Sequence, residues 1–182
     1  MLHKDRLVGA TLVSLLAYAG PRPGEALALR WSDIFEQTIL IQDGSDDGQP
    51  KELKNGIPYR SVELVGPLRE DLERLRLHLN VAKDSETPVI PNADGRHWNS
   101  EEYKRWRARH YIPAATAAGL ERPRPYDLRH AFVSLRIIEG RLSLDEIARQ
   151  AGHTVETTLR VYRHVVDEYR GRHMSSLADE IR

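Results

Sequence analysis

Apolar residues recur along this chain with two distinct periods. From Asp5 to Ala19, Leu7, Ala10, Thr11, Ser14, Leu15 and Tyr18 fall on adjoining turns among good helix formers, and Gly20 marks the stop. Pro21-Arg22-Pro23-Gly24-Glu25 then makes a turn, with Pro23 opening a second helix through Ala26, Leu27 and Leu29. Next the period drops to two. Thr38 to Gln42 and Tyr59 to Val65 alternate, the latter with Val62 and Leu64 inward, and Pro50 to Leu53 reads as a weaker strand between them. Asp43-Gly44-Ser45-Asp46-Asp47-Gly48 and Asn55-Gly56 supply the turns, so the pattern predicts a small three-stranded antiparallel sheet.

Helical spacing returns after Gly66-Pro67, with Leu68, Leu72, Leu75 and Leu79 at core positions, followed by a polar loop from Lys83 to His97. Ser100 caps a helix carrying Tyr103, Trp106, Arg107 and His110, which Pro113 bends or breaks before Ala114 to Ala118 and a stop at Gly119. A further helix opens at Tyr126, shows Leu128, Phe132, Leu135 and Ile138 on its apolar face, and ends at Gly140. Ser143-Leu144-Asp145-Glu146 is a capping box for a short helix that turns Leu144, Ile147 and Ala148 inward and stops at Gly152. The last helix begins near Thr154 and places Val155, Leu159, Tyr162 and Val166 on one stripe. Beyond it Asp167 to Arg182 reads as a short charged helix whose narrow stripe of Met174, Leu177 and Ile181 suits docking on a partner or on its own domain. The expected fold class is α+β, predominantly helical.

Composition narrows the possibilities. A chain of 182 residues with 40% apolar and 30% charged residues fits one soluble domain. Its most apolar segment, Leu7 to Ala19, is too short for a membrane span and lacks signal-peptide architecture, which points to a cytoplasmic protein. The absence of cysteine excludes disulfides, a thiol nucleophile and cysteine-ligated metal sites, and the 8 histidines show no HExxH-like spacing, so no metal or other cofactor is expected. The formal net charge is zero, but unevenly spread: residues 35–86 carry seven Lys/Arg against eleven Asp/Glu, and residues 96–130 carry eight against four. That basic stretch also holds Trp98, Tyr103, Trp106 and Tyr111, a combination compatible with a surface facing DNA and equally with a solvated helical face.

Four residues invite a chemical reading. Arg129 sits in the first turn of its helix and Arg22 lies between two prolines at another helix start, both positions where the helix dipole disfavours a cation unless an anion meets it. His153 follows a helix-stopping glycine, and Tyr162 projects from an apolar stripe. Singly, these are more often a cap, a surface turn and a core tyrosine with a satisfied hydroxyl.

Together they form a compound pattern. Asp127-Leu128-Arg129-His130, then Gly152-His153, then a tyrosine nine residues after that histidine, resembles the catalytic domain of the tyrosine recombinases, the phage integrase family. Gly20-Pro21-Arg22-Pro23-Gly24-Glu25 through Leu29, Trp31 and Asp33 is similar to the family's first box, G-x-R-x-x-E-x-x-x-L-x-W-x-D, and Lys54 with Val62 and Leu64 matches K-x7-V-x-L on the sheet, Lys51 being the nearby alternative. The resemblance implies that Arg22, Lys54, Arg129, His153 and Tyr162 converge on one DNA phosphate, with Tyr126 standing where the family usually has histidine. It further implies supporting roles for Glu25, Asp127 and His130. The fold it implies is that of DNA breaking-rejoining enzymes, helices around the small sheet. The activity it implies is strand cleavage and rejoining on double-stranded DNA through a 3′-phosphotyrosyl link, needing neither metal nor ATP, in a multimer assembled through the C-terminal tail. Breaking a phosphodiester this way needs forked donors on the non-bridging oxygens, a proton for the leaving oxygen, and an activated phenol, for which His153 and the arginines would lower the Tyr162 pKa. One catalytic domain over residues 1–182 is expected, the helical N-terminal clamp domain of full-length relatives lying outside this sequence. The alternative is a DNA-binding or assembly protein of the same fold with little strand transfer.

Overall fold

The computed structural model describes residues 2–52 and 59–179, so Lys54, the Asn55-Gly56 turn and Ile181 lie outside the described residues, as do the side chains of Met174 and Leu177. Helix accounts for 59% of the chain, with small antiparallel sheets.

Helix α1, Leu2–Tyr18, runs through the centre and packs against α3, α6 and α2. Its buried stripe is Val8, Thr11, Leu12, Leu15, Leu16 and Ala19, while Tyr18 faces outward. The face is thus rotated from the expected one, because the Val8-Leu12-Leu16 flank buries more apolar surface than the Ala10-Ser14-Tyr18 flank. Helix α2, Pro23–Ala28, follows with Pro23 in its first turn as expected.

Thr38–Ile41 is β1 and Asp43–Asp46 is β2, continuous but for Gln42. β3 is Gln49–Glu52 and β4 is Arg60–Glu63. In place of the expected single three-stranded sheet, two antiparallel ladders form among the described residues: β1 with β4, pairing Thr38 with Glu63 and Ile41 with Arg60, and β2 with β3, pairing Asp43 with Glu52. The cause lies at the turn. Only Asp47 and Gly48 adopt the left-handed backbone of a two-residue hairpin, φ 50° and 83°, so Asp43 to Asp46 is free to extend as strand rather than loop. Asp47 then accepts hydrogen bonds from the Ser100 backbone N–H and hydroxyl, tying the hairpin to the next helical layer.

Helix α3, Gly66–Leu79, buries Leu68, Leu72 and Leu75. Helix α4, Ser100–Trp106, is capped by Asn99 rather than Ser100: the Asn99 side chain accepts from the Glu102 N–H, and Glu102 returns the bond to the Asn99 N–H. Pro113 does not break the run. A π turn over Arg107–Tyr111 carries it into α5, Ile112–Ala117, so that the Ile112 N–H reaches the Arg107 carbonyl and the register shifts one residue before proline removes a donor.

Helix α6, Pro125–Glu139, buries Arg129, Phe132, Val133, Arg136 and Ile137. The expected face is corrected here, since Leu135 and Ile138 are exposed, at 58% and 43%. Helix α7, Leu144–Ala151, keeps its Ser143 cap, with Ile147 and Ala148 buried and Gly152 at φ 65° ending it. Helix α8, Val155–Asp179, contains a break in helical geometry at Tyr162, φ −110° and ψ 18°. Of its expected stripe Tyr162 and Val166 are buried, while Val155 and Leu159 lie near the solvent. Among the described residues no helix is long and apolar enough to cross a membrane.

Candidate functional site

The start of α2, the start of α6, strand β4 and the turn between α7 and α8 meet at one polar centre. Arg129 is 0% exposed and projects from the second turn of α6 rather than the expected first, because the helix opens at Pro125, a residue earlier than Tyr126. Its guanidinium donates to the carbonyls of Gly20, just past the end of α1, and Ala151, the last residue of α7, and at 2.9 Å to His153 Nε2. No carboxylate is among the ion-pair partners found for Arg129 in the described residues. Burial first, then the neighbouring Arg22 charge, lowers its pKa to about 10. It therefore stays cationic at neutral pH, with its Nε–H buried and lacking an acceptor.

Arg22 caps α2 without entering it. Glu25, three residues on, accepts from the Arg22 backbone N–H and from its guanidinium, both at 2.7 Å, and Arg22 Nη2 donates to the Gly152 carbonyl at 3.0 Å. With a side chain 40% exposed, Arg22 is the part of the centre that faces solvent.

Glu25 is buried and shared. Arg60 meets it through two guanidinium nitrogens at 2.6 and 3.3 Å and donates its Nε–H to the Gln150 carbonyl at 2.9 Å. Burial works to raise the Glu25 pKa, but the Arg60 and Arg22 bonds together outweigh it and hold the carboxyl below its ordinary range. Arg60 was missed in reading the sequence, although the signal was present. It occupies the same face of β4 as Val62 and Leu64, all three buried, and an arginine on a core face requires a buried acid.

His153 and Tyr162 complete the group. The two rings stack at 6.4 Å between centroids. His153 accepts the Arg129 bond at Nε2, which leaves Nδ1 as the protonated nitrogen, buried and without an acceptor. Burial, followed by the Arg129 charge, pushes its pKa down to about 4. Tyr162 is 2% exposed, and its hydroxyl lies 2.8 Å from His130 Nδ1. The expectation that surrounding cations lower the phenol's pKa is corrected: burial raises it and outweighs the opposing pull of Arg129.

Of the residues expected to converge, Arg22, Arg129, His153 and Tyr162 are brought together, with Glu25 and His130 in direct contact with them. Tyr126 sets its ring edge-on to His130 at 5.2 Å and stays partly exposed. Asp127 does not join them. It caps α6 and holds Arg124, accepting from both its backbone N–H and its guanidinium, the latter at 2.7 Å. Lys51, the alternative to Lys54, is paired with Asp46 at 2.8 Å on the hairpin.

The aromatic residues of the basic stretch do not face outward as expected. Trp98, Trp106 and Tyr111 are buried, with the Trp106 ring 5.9, 5.7 and 5.5 Å from those of Trp98, Tyr103 and Tyr111. Gly9 permits this, since a Cβ there would fall 2.5 Å from Trp106 Nε1. Lys104, Arg105, Arg107 and Arg109 are left on the outer surface.

The chemistry available to this centre is anion binding beside a phenol. Three guanidiniums face one carboxylate, and two buried N–H donors, Arg129 Nε and His153 Nδ1, have no acceptor. Among the described residues no group of His, Asp and Glu is arranged to hold a metal ion.

Solved structures share this fold. The integrase of transposon Tn1549, in complex with transposon right-end DNA, superposes with a TM-score of 0.70 at 16% identity, covering 92% of this chain and 58% of its own. The XerA recombinase gives 0.65 at 21% identity, over 98% of this chain and 62% of its own. The XerH site-specific recombinase bound to its difH substrate in a pre-cleavage complex gives 0.63 at 22%, over 97% and 47%. This chain thus spans about half to three fifths of the length of those chains. No curated protein sequence matches it. The phage integrase family pattern matches residues 3–169, nearly the whole chain and every element of the polar centre, and the chain belongs to that family, the tyrosine recombinases.

Proposed function

We propose that this chain, over residues 1–182, is the catalytic domain of a tyrosine-type site-specific recombinase acting on double-stranded DNA in the cytoplasm. The Tyr162 hydroxyl oxygen attacks the scissile phosphorus, a 3′-phosphotyrosyl bond forms, and the 5′-oxygen departs as a hydroxyl. Arg22 and Arg129 hold the non-bridging oxygens with forked donors, a task for which lysine lacks the planar geometry. The His153 Nδ1–H supplies a third donor to the same oxygens. Lys54 gives the departing 5′-oxygen its proton. The phosphodiester energy stays in the covalent link, so rejoining to another strand consumes no ATP and calls on no metal. Protomers assemble on DNA through the C-terminal tail.

The observation that carries this reading is the pair of buried, acceptor-less donors, Arg129 Nε and His153 Nδ1, within a cation-rich centre that abuts a tyrosine hydroxyl. A phosphoryl group satisfies both donors and the surplus charge at once. Since Arg129 and Tyr162 are both closed off from solvent, engagement of DNA requires the part of α8 beyond Tyr162 to swing away, with the break at Tyr162 as the hinge and Tyr162 left against His130.

A second reading, DNA binding without strand transfer, is favoured by the burial of Tyr162 and by Tyr126 in place of histidine. The two separate on a pool of nicked duplexes of random central sequence, built so that cleavage releases a short fragment bearing the new 5′-hydroxyl and traps the adduct. The recombinase yields a denaturation-resistant protein–DNA adduct that is lost in Tyr162→Phe with DNA affinity nearly unchanged. DNA retention without adduct supports the second reading. Equal adduct from wild type and Tyr162→Phe would mean that the nucleophile is misassigned.

A further inference from the structure

The Tyr162 phenol needs a proton acceptor. Burial holds its pKa above the ordinary value, so it is not ionised in advance and its proton must leave as the new bond forms. His153 is badly placed for this: its Nε2 already accepts from Arg129, and the burial and cationic neighbours that push its pKa to about 4 make it a poor resting place for another proton. His130 is placed otherwise. It reaches across from α6 to α8 and brings Nδ1 within 2.8 Å of the Tyr162 hydroxyl, and in the tautomer that carries its proton on Nε2 the imidazole accepts there from the phenol. Tyr126 also packs edge-on against the His130 ring at 5.2 Å.

We propose that His130 is the general base that activates Tyr162, a role resting on the recombinase reading above. As the Tyr162 Oη–P bond forms and the P–O5′ bond breaks, the phenolic proton passes to His130 Nδ1, and the departing 5′-oxygen takes its own proton from Lys54, the general acid of the recombinase reading. In rejoining, the 5′-hydroxyl gives its proton back to that lysine while attacking phosphorus, and His130 returns its proton to the leaving phenolate. No oxidant, reductant or co-reactant enters. The titratable and charged groups facing His130 are Tyr126 and Asp127 on α6, Tyr162 on α8, and His153 in the turn after α7. Asp127 is already committed to Arg124, which leaves Tyr162 as the hydrogen-bond partner of the ring.

The test uses His130→Asn, whose side-chain oxygen still accepts a hydrogen bond but takes no proton, and His130→Ala with and without added imidazole. On the duplex pool captured by wild type, His130→Asn should retain DNA affinity and form adduct about 10² to 10⁴ times more slowly, the range for a lost general base. Added imidazole should restore part of the rate in His130→Ala and none in His130→Asn. A duplex with sulfur at the bridging 5′ position, which leaves without a proton, should rescue Lys54→Ala but not His130→Asn. Wild-type rate in His130→Asn, or its rescue by the sulfur substrate, would overturn the proposal. Should wild type form no DNA adduct, the recombinase reading fails on its own, and the base is then read from Tyr162 labelling by a small aryl sulfonyl fluoride. Labelling that falls at least tenfold in His130→Asn supports base activation, and labelling equal to wild type overturns it.

Discussion

Replacing Arg60 with methionine would strand a carboxylate in the interior. Glu25 and Arg60 are each 2% exposed, and the substitution removes guanidinium bonds of 2.6 and 3.3 Å to Glu25 as well as the donor to the Gln150 carbonyl. Breaking a buried ion pair by deleting one partner costs about 3–5 kcal/mol. Arg22 continues to hold Glu25 through its backbone N–H and guanidinium, both at 2.7 Å, which places the loss near the low end, about 3 kcal/mol. For a domain of this size that lowers Tm by about 6–12 °C. Melting followed by far-UV circular dichroism at neutral pH measures it. The pH dependence is a second reading of the same interaction. Glu25 has a folded pKa below its ordinary value of 4.5, so its contribution is fully present above about 4.5 and fades as pH falls through the lower folded value. The gap in Tm between wild type and Arg60→Met should therefore narrow in acid, where protonation relieves the stranded charge. A gap under about 2 °C at neutral pH, or one that does not change on acidification, would refute the reasoning.

Other expectations follow from the same centre. Gly152→Ala forces a β-carbon into a backbone at φ 65°, 2.8 Å from Arg60 Cζ, whereas Gly119→Ala at φ 87° meets nothing within 4 Å; both should lower Tm, and the greater fall at Gly152 reports the collision with Arg60. His153 has a folded pKa of about 4 against an ordinary value of 6.5, so across that window the unfolded chain binds a proton that the folded chain refuses. Stability should fall as pH drops from about 6.5 to about 4, and urea denaturation of His153→Gln should show a shallower decline. Arg129→Ala should weaken both DNA affinity and adduct formation, as read by filter binding and by the nicked-duplex assay, because one guanidinium serves ground state and transition state. With a net charge of zero, the chain alone should bind DNA at about 10⁻⁴ to 10⁻⁶ M at physiological salt, with a shallow salt slope; nanomolar, sequence-selective binding in a titration would contradict this.

Much of the site was legible because its chemistry is written in short-range spacing. Arg22 with Glu25, and His153 with Tyr162, are fixed relative to one another by a single helical turn or by the opening turns of α8, which periodicity reads directly. What escaped depended on neighbours distant in the chain. Arg60 finds Glu25 across 35 positions, and its inward orientation needed the alternation from Val62 and Leu64 to be extended two residues back. The contact of His130 with Tyr162 follows from how α6 lies on α8, a packing angle that no local pattern encodes. Leu135 and Ile138 misled for a related reason: on α6, buried positions went to Arg129 and Arg136, whose long stems fill space that periodicity assigns to leucine. The aromatic residues of the basic stretch read as surface because their neighbours in sequence are charged, yet Gly9 on α1, distant in sequence, opens a slot for Trp106.

The reach of the arginine bonds also sets an order of assembly. Arg129 joins the Gly20 carbonyl across 109 positions, Arg60 joins Gln150 across 90, and Arg22 joins Gly152 across 130. Such contacts must close long loops before they return any energy, and a lone guanidinium gains nothing by leaving water early. The polar centre therefore forms after the helical layers have docked, as the last region to leave solvent. Substitutions there should act chiefly on the unfolding limb of a chevron and leave the folding limb nearly unmoved. The residues that hold the site together would then govern how long the folded chain persists rather than how fast it is made.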